Sequence, residues 1–170
     1  MALLHSYSVD LTWTGAGSVG TATYTSYGRD HVLTGGDKPP LAGTSDPQFR
    51  GDASRWSPED LLVGALSQCH MLWFLHLAAA AGVVVVGYSD SAAGTMRIEA
   101  AGHGQFRDVT LHPRVVVRGA VRADGSPLTD EHLADLHHAA HEHCFIARSV
   151  NFPVRVEPVP VLHETTAAGA

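Results

Sequence analysis

Apolar and polar positions alternate at the start of the chain. Tyr7, Val9, Leu11 and Trp13 fall on one face, which predicts a half-buried strand over residues 4–13. Residues 21–27 alternate again and residues 29–33 form a further short β-prone run. The stretch from Gly35 to Trp56 is rich in Gly, Pro, Ser and Asp, has no periodicity, and is expected to be a long loop of a length that usually carries function. The pattern then changes. Ser57 is placed to cap a helix, Pro58 suits its first position, Asp60 completes a capping box, and Gly82 supplies the stop. From residue 61 to residue 86 there is no Asp, Glu, Lys or Arg, so the helix is expected to lie buried between other elements. Residues 83–88, 94–100 and 106–117 read as strands, with His112-Pro113 marking an edge or bulge. A second helix is expected from Thr129 with Leu133, Leu136, His137 and Ala140 as its apolar stripe, followed by a short helical turn beginning at Cys144 and a last strand over 154–161. The fold class is α+β.

A charge-free apolar run of this length also fits a membrane span. Ser67, Gln68, His70 and His76 interrupt it, Gly82 breaks it, and the valines that follow are strand-like, so a central helix of a soluble domain is the better account. The chain has 170 residues, 45% hydrophobic and 16% charged, which suits one domain with a thin charged surface and an expectation that a partner subunit covers some of its apolar surface. The formal charge of -6 offers no basic field for phosphates, which argues against nucleic acid. No export signal is visible at the N-terminus, so a cytoplasmic location is expected, and there two separated cysteines are inert or reactive thiols rather than a disulfide framework.

Two features could carry chemistry. Residues 15–20 spell a G-x-G-x-x-G, but β-prone residues follow it where a dinucleotide site needs a helix, so it reads as a glycine-rich hairpin turn. Cys69, His70, His141, His143 and Cys144 are candidate zinc ligands, although neighbours such as Cys69 and His70 diverge by about 100° on a helix. Other histidines, among them His132 and His137, read as solvent-facing or packed. The cysteines could also be packing residues, Cys69 lying on a stripe with Leu62, Ala65, Leu66, Leu72 and Trp73.

The helix start Pro58-Glu59-Asp60-Leu61-Leu62, Cys69 in mid-helix, and the distant block from His141 through Cys144 to Ala147 together resemble the OsmC/Ohr family of thiol-dependent hydroperoxide reductases, in particular its OsmC-like branch. The resemblance runs from about Tyr7 to about Val161. It implies a single OsmC-like domain over residues 1–162, with 163–170 as a disordered tail, and an intertwined homodimer whose antiparallel sheets wrap long central helices. It further implies a cysteine peroxidase acting in oxidative or osmotic stress defence, without a cofactor. Cys69 would be the peroxidatic cysteine, Cys144 the resolving cysteine, and Glu59 the acid that holds an arginine. An organic hydroperoxide would be the substrate and an external dithiol the reductant.

One departure stands out. The family's arginine usually lies in the first hairpin turn, and residues 15–20 contain none. A thiol in mid-helix gains nothing from a helix terminus and needs a cation to favour the thiolate. Arg50 is the expected substitute, with Arg55 and Arg29 behind it. Glu59 and Cys69 lie roughly 15 Å apart along one helix at 1.5 Å per residue, so a loop residue or a second subunit must bridge them. A non-catalytic alternative is a dimer that binds a small lipophilic molecule in a groove lined by Leu72, Trp73 and Phe74, and a Cys/His metal site is another.

Overall fold

The computed structural model describes residues 3–100 and 102–164; residues 165–170 of the expected tail lie outside it. The chain divides into two units, Met1–Leu62 and Val63–Ala170. In the first, β1 (Asp10–Trp13) pairs antiparallel with β2 (His31–Thr34), setting Leu11 opposite Leu33, and β2 pairs antiparallel with β3 (Leu41–Gly43). Only the last four residues of the strand expected over 4–13 join this sheet. Its apolar face is not half-buried: Tyr7 is 92% exposed and Leu11 63%. The glycine-rich turn forms as expected, with Gly17 and Gly20 at φ of 56°. No helix follows it, which removes the dinucleotide reading.

Residues 21–27, expected as strand, form turns instead. The Arg29 guanidinium stacks over the Tyr24 and Tyr27 rings at 4.5 and 4.1 Å and donates to both of their carbonyls. β-prone side chains without a partner strand have folded onto a cation. Within the expected long loop lie β3 and a 3-10 turn, Pro47–Phe49, whose Asp46 cap accepts from the Gln48 N–H. Both are too short to show a period in sequence.

Helix α1 (Pro58–Ala80) has the predicted ends. Ser57 Oγ accepts from the Asp60 N–H at 3.1 Å while the Asp60 carboxylate accepts from the Ser57 N–H at 3.0 Å, a reciprocal capping box. At the far end the Val83 N–H donates to the Ala78 carbonyl and the Gly82 N–H to that of Ala79, with Gly82 at φ 70°, a Schellman stop. Its burial departs from expectation. Only Leu66, His70, Phe74 and Ala78, one file four residues apart, are buried, and Leu72 is 62% exposed. A lack of charge therefore does not mean that this chain covers the helix on all sides. By length and composition α1 could cross a membrane, yet its buried file packs into the core of the second unit.

That unit holds two three-stranded sheets. One orders β4 (Val85–Asp90), β7 (Pro113–Val117) and β9 (Leu162–His163), the other β5 (Ala93–Ile98), β6 (Gly104–Leu111) and β8 (Val154–Val156). The β4–β7 and β5–β6 pairs are antiparallel, whereas β7–β9 and β6–β8 are parallel, so the sheets are mixed rather than purely antiparallel. The run expected as one strand over 106–117 is two, because the chain changes sheet at His112-Pro113, where proline cannot donate to a ladder. Asp90 holds this corner: Oδ1 accepts from the His112 N–H at 2.7 Å and Oδ2 from Ser67 Oγ on α1 at 2.6 Å. Strand β9 takes in His163, and Glu164 pairs with Arg118, so order extends past residue 162.

Helix α2 (Asp130–His143) starts at Thr129, whose Oγ1 accepts from the His132 N–H while His132 Nδ1 accepts from the Thr129 N–H. It buries Leu133, His137 and Ala140 of the expected stripe. Phe74, Ala78, Val83, Val115, Val117, Leu133 and Ala140 form the larger core cluster, and Leu66, Val109 and Leu111 a second. Each large side chain buried there contributes about 1.5–3 kcal/mol.

Candidate functional site

Both cysteines are free thiols in the second unit, Cys69 partly exposed on α1 and Cys144 buried at the C-terminal end of α2. Cys69 lies outside the buried file rather than on the core stripe. Although far apart in sequence, the two thiols are near enough that Cys69 contributes to the raised proton affinity of Cys144. Burial pushes the Cys144 thiol up to about 11, and the adjacent Cys69 adds to the rise, while the Ala147 and Ile146 N–H groups act the other way. The Ala147 N–H donates to Cys144 Sγ at 3.4 Å, so the sulfur caps the turn that leads into the 3-10 segment Ala147–Ser149. The helical turn expected at Cys144 is this one.

Next to Cys69, His70 Nε2 lies 3.0 Å from Nδ1 of His137, both rings being buried and 7° from parallel. Phe74 covers the His137 ring at 4.1 Å between centroids. Burial lowers His70 to about 4, with His141 adding to the fall and Asp90 opposing it. Burial and then His70 lower His137 to about 3. Both imidazoles are neutral at physiological pH. His137 is a packed side chain, but its pairing across helices was not legible in sequence.

A cleft of about 630 Å³ lies beside Cys144, lined by Trp73, His141, Glu142, His143, Phe145 and Arg148 among others. Arg148, four residues after Cys144, escaped sequence reasoning; its position on the short helical turn was the available signal. Leu72 and Trp73 line a smaller apolar hollow of about 240 Å³ with His76. Phe74 is fully buried in the core, so the expected groove has His76 in its place. Among the described residues no group of three or more His, Cys, Asp or Glu side chains could hold a metal ion.

Glu59 and Arg50 lie in the first unit. Glu59 is in the first turn of α1, with Oε2 buried and without a hydrogen-bond partner among the described residues. Arg50 is exposed and ends the Pro47–Phe49 turn at φ 70°, unusual for a residue with a side chain. Arg55 lies within ion-pair range of Asp52 and Asp30, and Arg29 is held between its two tyrosines.

A search of curated protein sequences finds no match. Among solved structures, an OsmC-like protein of unknown function from Vibrio cholerae is 32% identical, with a TM-score of 0.81, and the match covers 92% of this chain and 100% of that one. An organic hydroperoxide resistance protein from Elizabethkingia anophelis is 16% identical with a TM-score of 0.66, covering 96% of this chain and 100% of that one. One from Legionella pneumophila is 15% identical with a TM-score of 0.65, covering 95% and 99% respectively. At those identities the latter two speak for the fold. The OsmC family model, described as OsmC-like protein, matches residues 51–159, a span that contains both cysteines. The α+β fold, the match across most of the sequence and the likeness over the whole length of the Vibrio protein lead to one assignment: the chain belongs to the OsmC family.

Proposed function

We propose that this protein is a thiol-dependent peroxidase that reduces organic hydroperoxides to alcohols. The observation that carries the reading is the approach of Cys69 and Cys144 within one unit, one thiol partly exposed and the other buried. The asymmetry supports Cys69 as the attacking thiol and Cys144 as the resolving one. A peroxide reaches Cys69 from solvent, whereas Cys144 is held as a thiol at neutral pH. The Cys69 thiolate attacks one peroxide oxygen, the O–O bond breaks, the alkoxide leaves as alcohol after taking a proton, and Cys69 becomes a sulfenic acid. Cys144 then attacks the Cys69 sulfur, water departs, and a disulfide forms. An external dithiol returns both cysteines to thiols while it is itself oxidised.

Arg50 is the cation assigned to the Cys69 thiolate, and Glu59, whose buried carboxylate oxygen lacks a partner, is the acid that orients a cation. The active species in this reading is a cytoplasmic homodimer, a second copy covering the apolar surface that one chain leaves open. Stress defence is the setting. The test is consumption of an organic hydroperoxide with a dithiol as reductant by wild type, Cys69→Ser and Cys144→Ser. Turnover is expected in wild type and none in Cys69→Ser; equal rates in those two would overturn the proposal. Loss of turnover with retained binding of a lipophilic ligand would favour the second reading, for which the hollow at Leu72, Trp73 and His76 speaks.

A further inference from the structure

We infer that the hydrogen bond between His70 and His137 is the positioning contact that sets the distance between the Cys69 and Cys144 thiols. The inference rests on the redox reading of these cysteines and adds two residues to it. His70 directly follows Cys69 on α1. His137 lies about two turns before Cys144 on α2, at 3.6 residues per turn, and so on the same side of that helix. The 3.0 Å contact therefore joins the two helices that carry the thiols, close to one of them and in line with the other.

Stability alone does not explain two imidazoles in this place. Both are buried, His70 to 1% exposure and His137 to 4%, and His70 Nδ1 has no hydrogen-bond partner among the described residues. Replacing a buried hydrogen-bonded pair by apolar groups of the same shape is often neutral or stabilising. A hydrogen bond supplies what an apolar pair does not, a fixed separation and direction. Phe74 stacked on the His137 ring limits the rotation that would break it.

Cys69 is in fact bracketed. Two residues before it, Ser67 Oγ donates to Asp90, which also accepts from the His112 N–H at the corner between β6 and β7. One residue after it, His70 is bonded to α2. These tethers flank Cys69 on α1, one to β4 and the β6–β7 corner and the other to α2, the helix that leads into Cys144. Disulfide formation is steeply sensitive to such placement, because the bond requires Cα atoms within about 7 Å and a restricted torsion.

The test uses the full-length protein in mixtures of reduced and oxidised glutathione. Glutathione disulfide takes two electrons and two protons from the pair, forming the Cys69–Cys144 bond and two molecules of glutathione. The equilibrium constant is read by alkylation and peptide mapping for wild type, His137→Leu, His137→Asn and the double variant His70→Leu/His137→Leu. The double variant is expected to unfold at or above the wild-type temperature when reduced, and yet to form the disulfide with a constant lower by about tenfold, equivalent to about 30 mV. His137→Asn keeps an amide where Nδ1 lies and is expected within about twofold of wild type, while His137→Leu follows the double variant. Equal constants for His137→Asn and His137→Leu would overturn the inference even if the double variant did not fold. A wild-type constant in the double variant would overturn it as well, leaving the redox reading intact. Absence of any Cys69–Cys144 disulfide in wild type would overturn both.

Discussion

At Cys144 burial screens the side chain from solvent and favours the protonated thiol, so the sulfur keeps its proton and reagent is kept out. Iodoacetamide at pH 8 is therefore expected to label Cys69 first. Cys144 should react only near pH 11 or on unfolding, and peptide mapping against time checks the order. Cys144→Ser should leave a Cys69 sulfenic acid that a dimedone-type probe traps after one equivalent of organic hydroperoxide. Arg50→Ala tests a residue that no local interaction explains; if its guanidinium favours the attacking thiolate, turnover falls about tenfold, the equivalent of about 1.4 kcal/mol of barrier. The cysteine blocks and the helix start that holds Glu59 stand out in sequence because neighbours within a few residues mark them. His70 with His137, 67 positions apart, do not, because only packing brings two helices to that separation.

Helix ends are the part of this fold written most plainly in the chain. Ser57, Asp60 and Gly82 each make the hydrogen bond their chemistry predicts and Pro58 stands at the first helical position, since caps depend on neighbours within a few residues. Gly82→Ala is expected to destabilise by more than the usual ~1 kcal/mol of a glycine stop, because the added carbon must tolerate φ 70° and would lie 2.8 Å from the Ala123 Cβ. Thermal unfolding checks it. Strands were less legible. Residues 21–27 have strand composition but no partner, and β3 is only three residues within a glycine- and proline-rich stretch, so pairing and not composition decides. The α1–α2 contact also gives a pH dependence. Both imidazoles lie below the usual 6.5 in the folded chain, so the unfolded chain takes up protons first as pH falls. Above pH 6.5 the pair leaves stability independent of pH; from there down through about 4 and 3 the stability of the folded chain falls, by up to ~1.4 kcal/mol per pH unit for each proton. Urea titrations at pH 7.5 and 5 should show this slope in wild type and not in His70→Leu/His137→Leu.

For the whole molecule, the features that sequence reasoning placed inside are those that one chain leaves outside: the face of α1 around Leu72 and the Tyr7, Val9 and Leu11 positions. Periodicity identifies which positions are apolar but not whether the cover comes from the same chain. Exposed apolar side chains of this kind, in either unit, favour association over solvation. Light scattering at micromolar concentration is expected to give a dimer mass, and Leu72→Glu to shift it toward monomer.

The single buried file of α1 then has a consequence for dosage. If four side chains from one chain and a second copy together cover this helix, the folded state is bought partly by mass action. Each tenfold dilution would remove about 1.4 kcal/mol of stability from the assembled form. Below the dissociation constant, specific activity would fall in proportion to protein concentration. A cell could then keep scarce copies silent and gain activity faster than it gains protein, so that induction itself acts as a threshold.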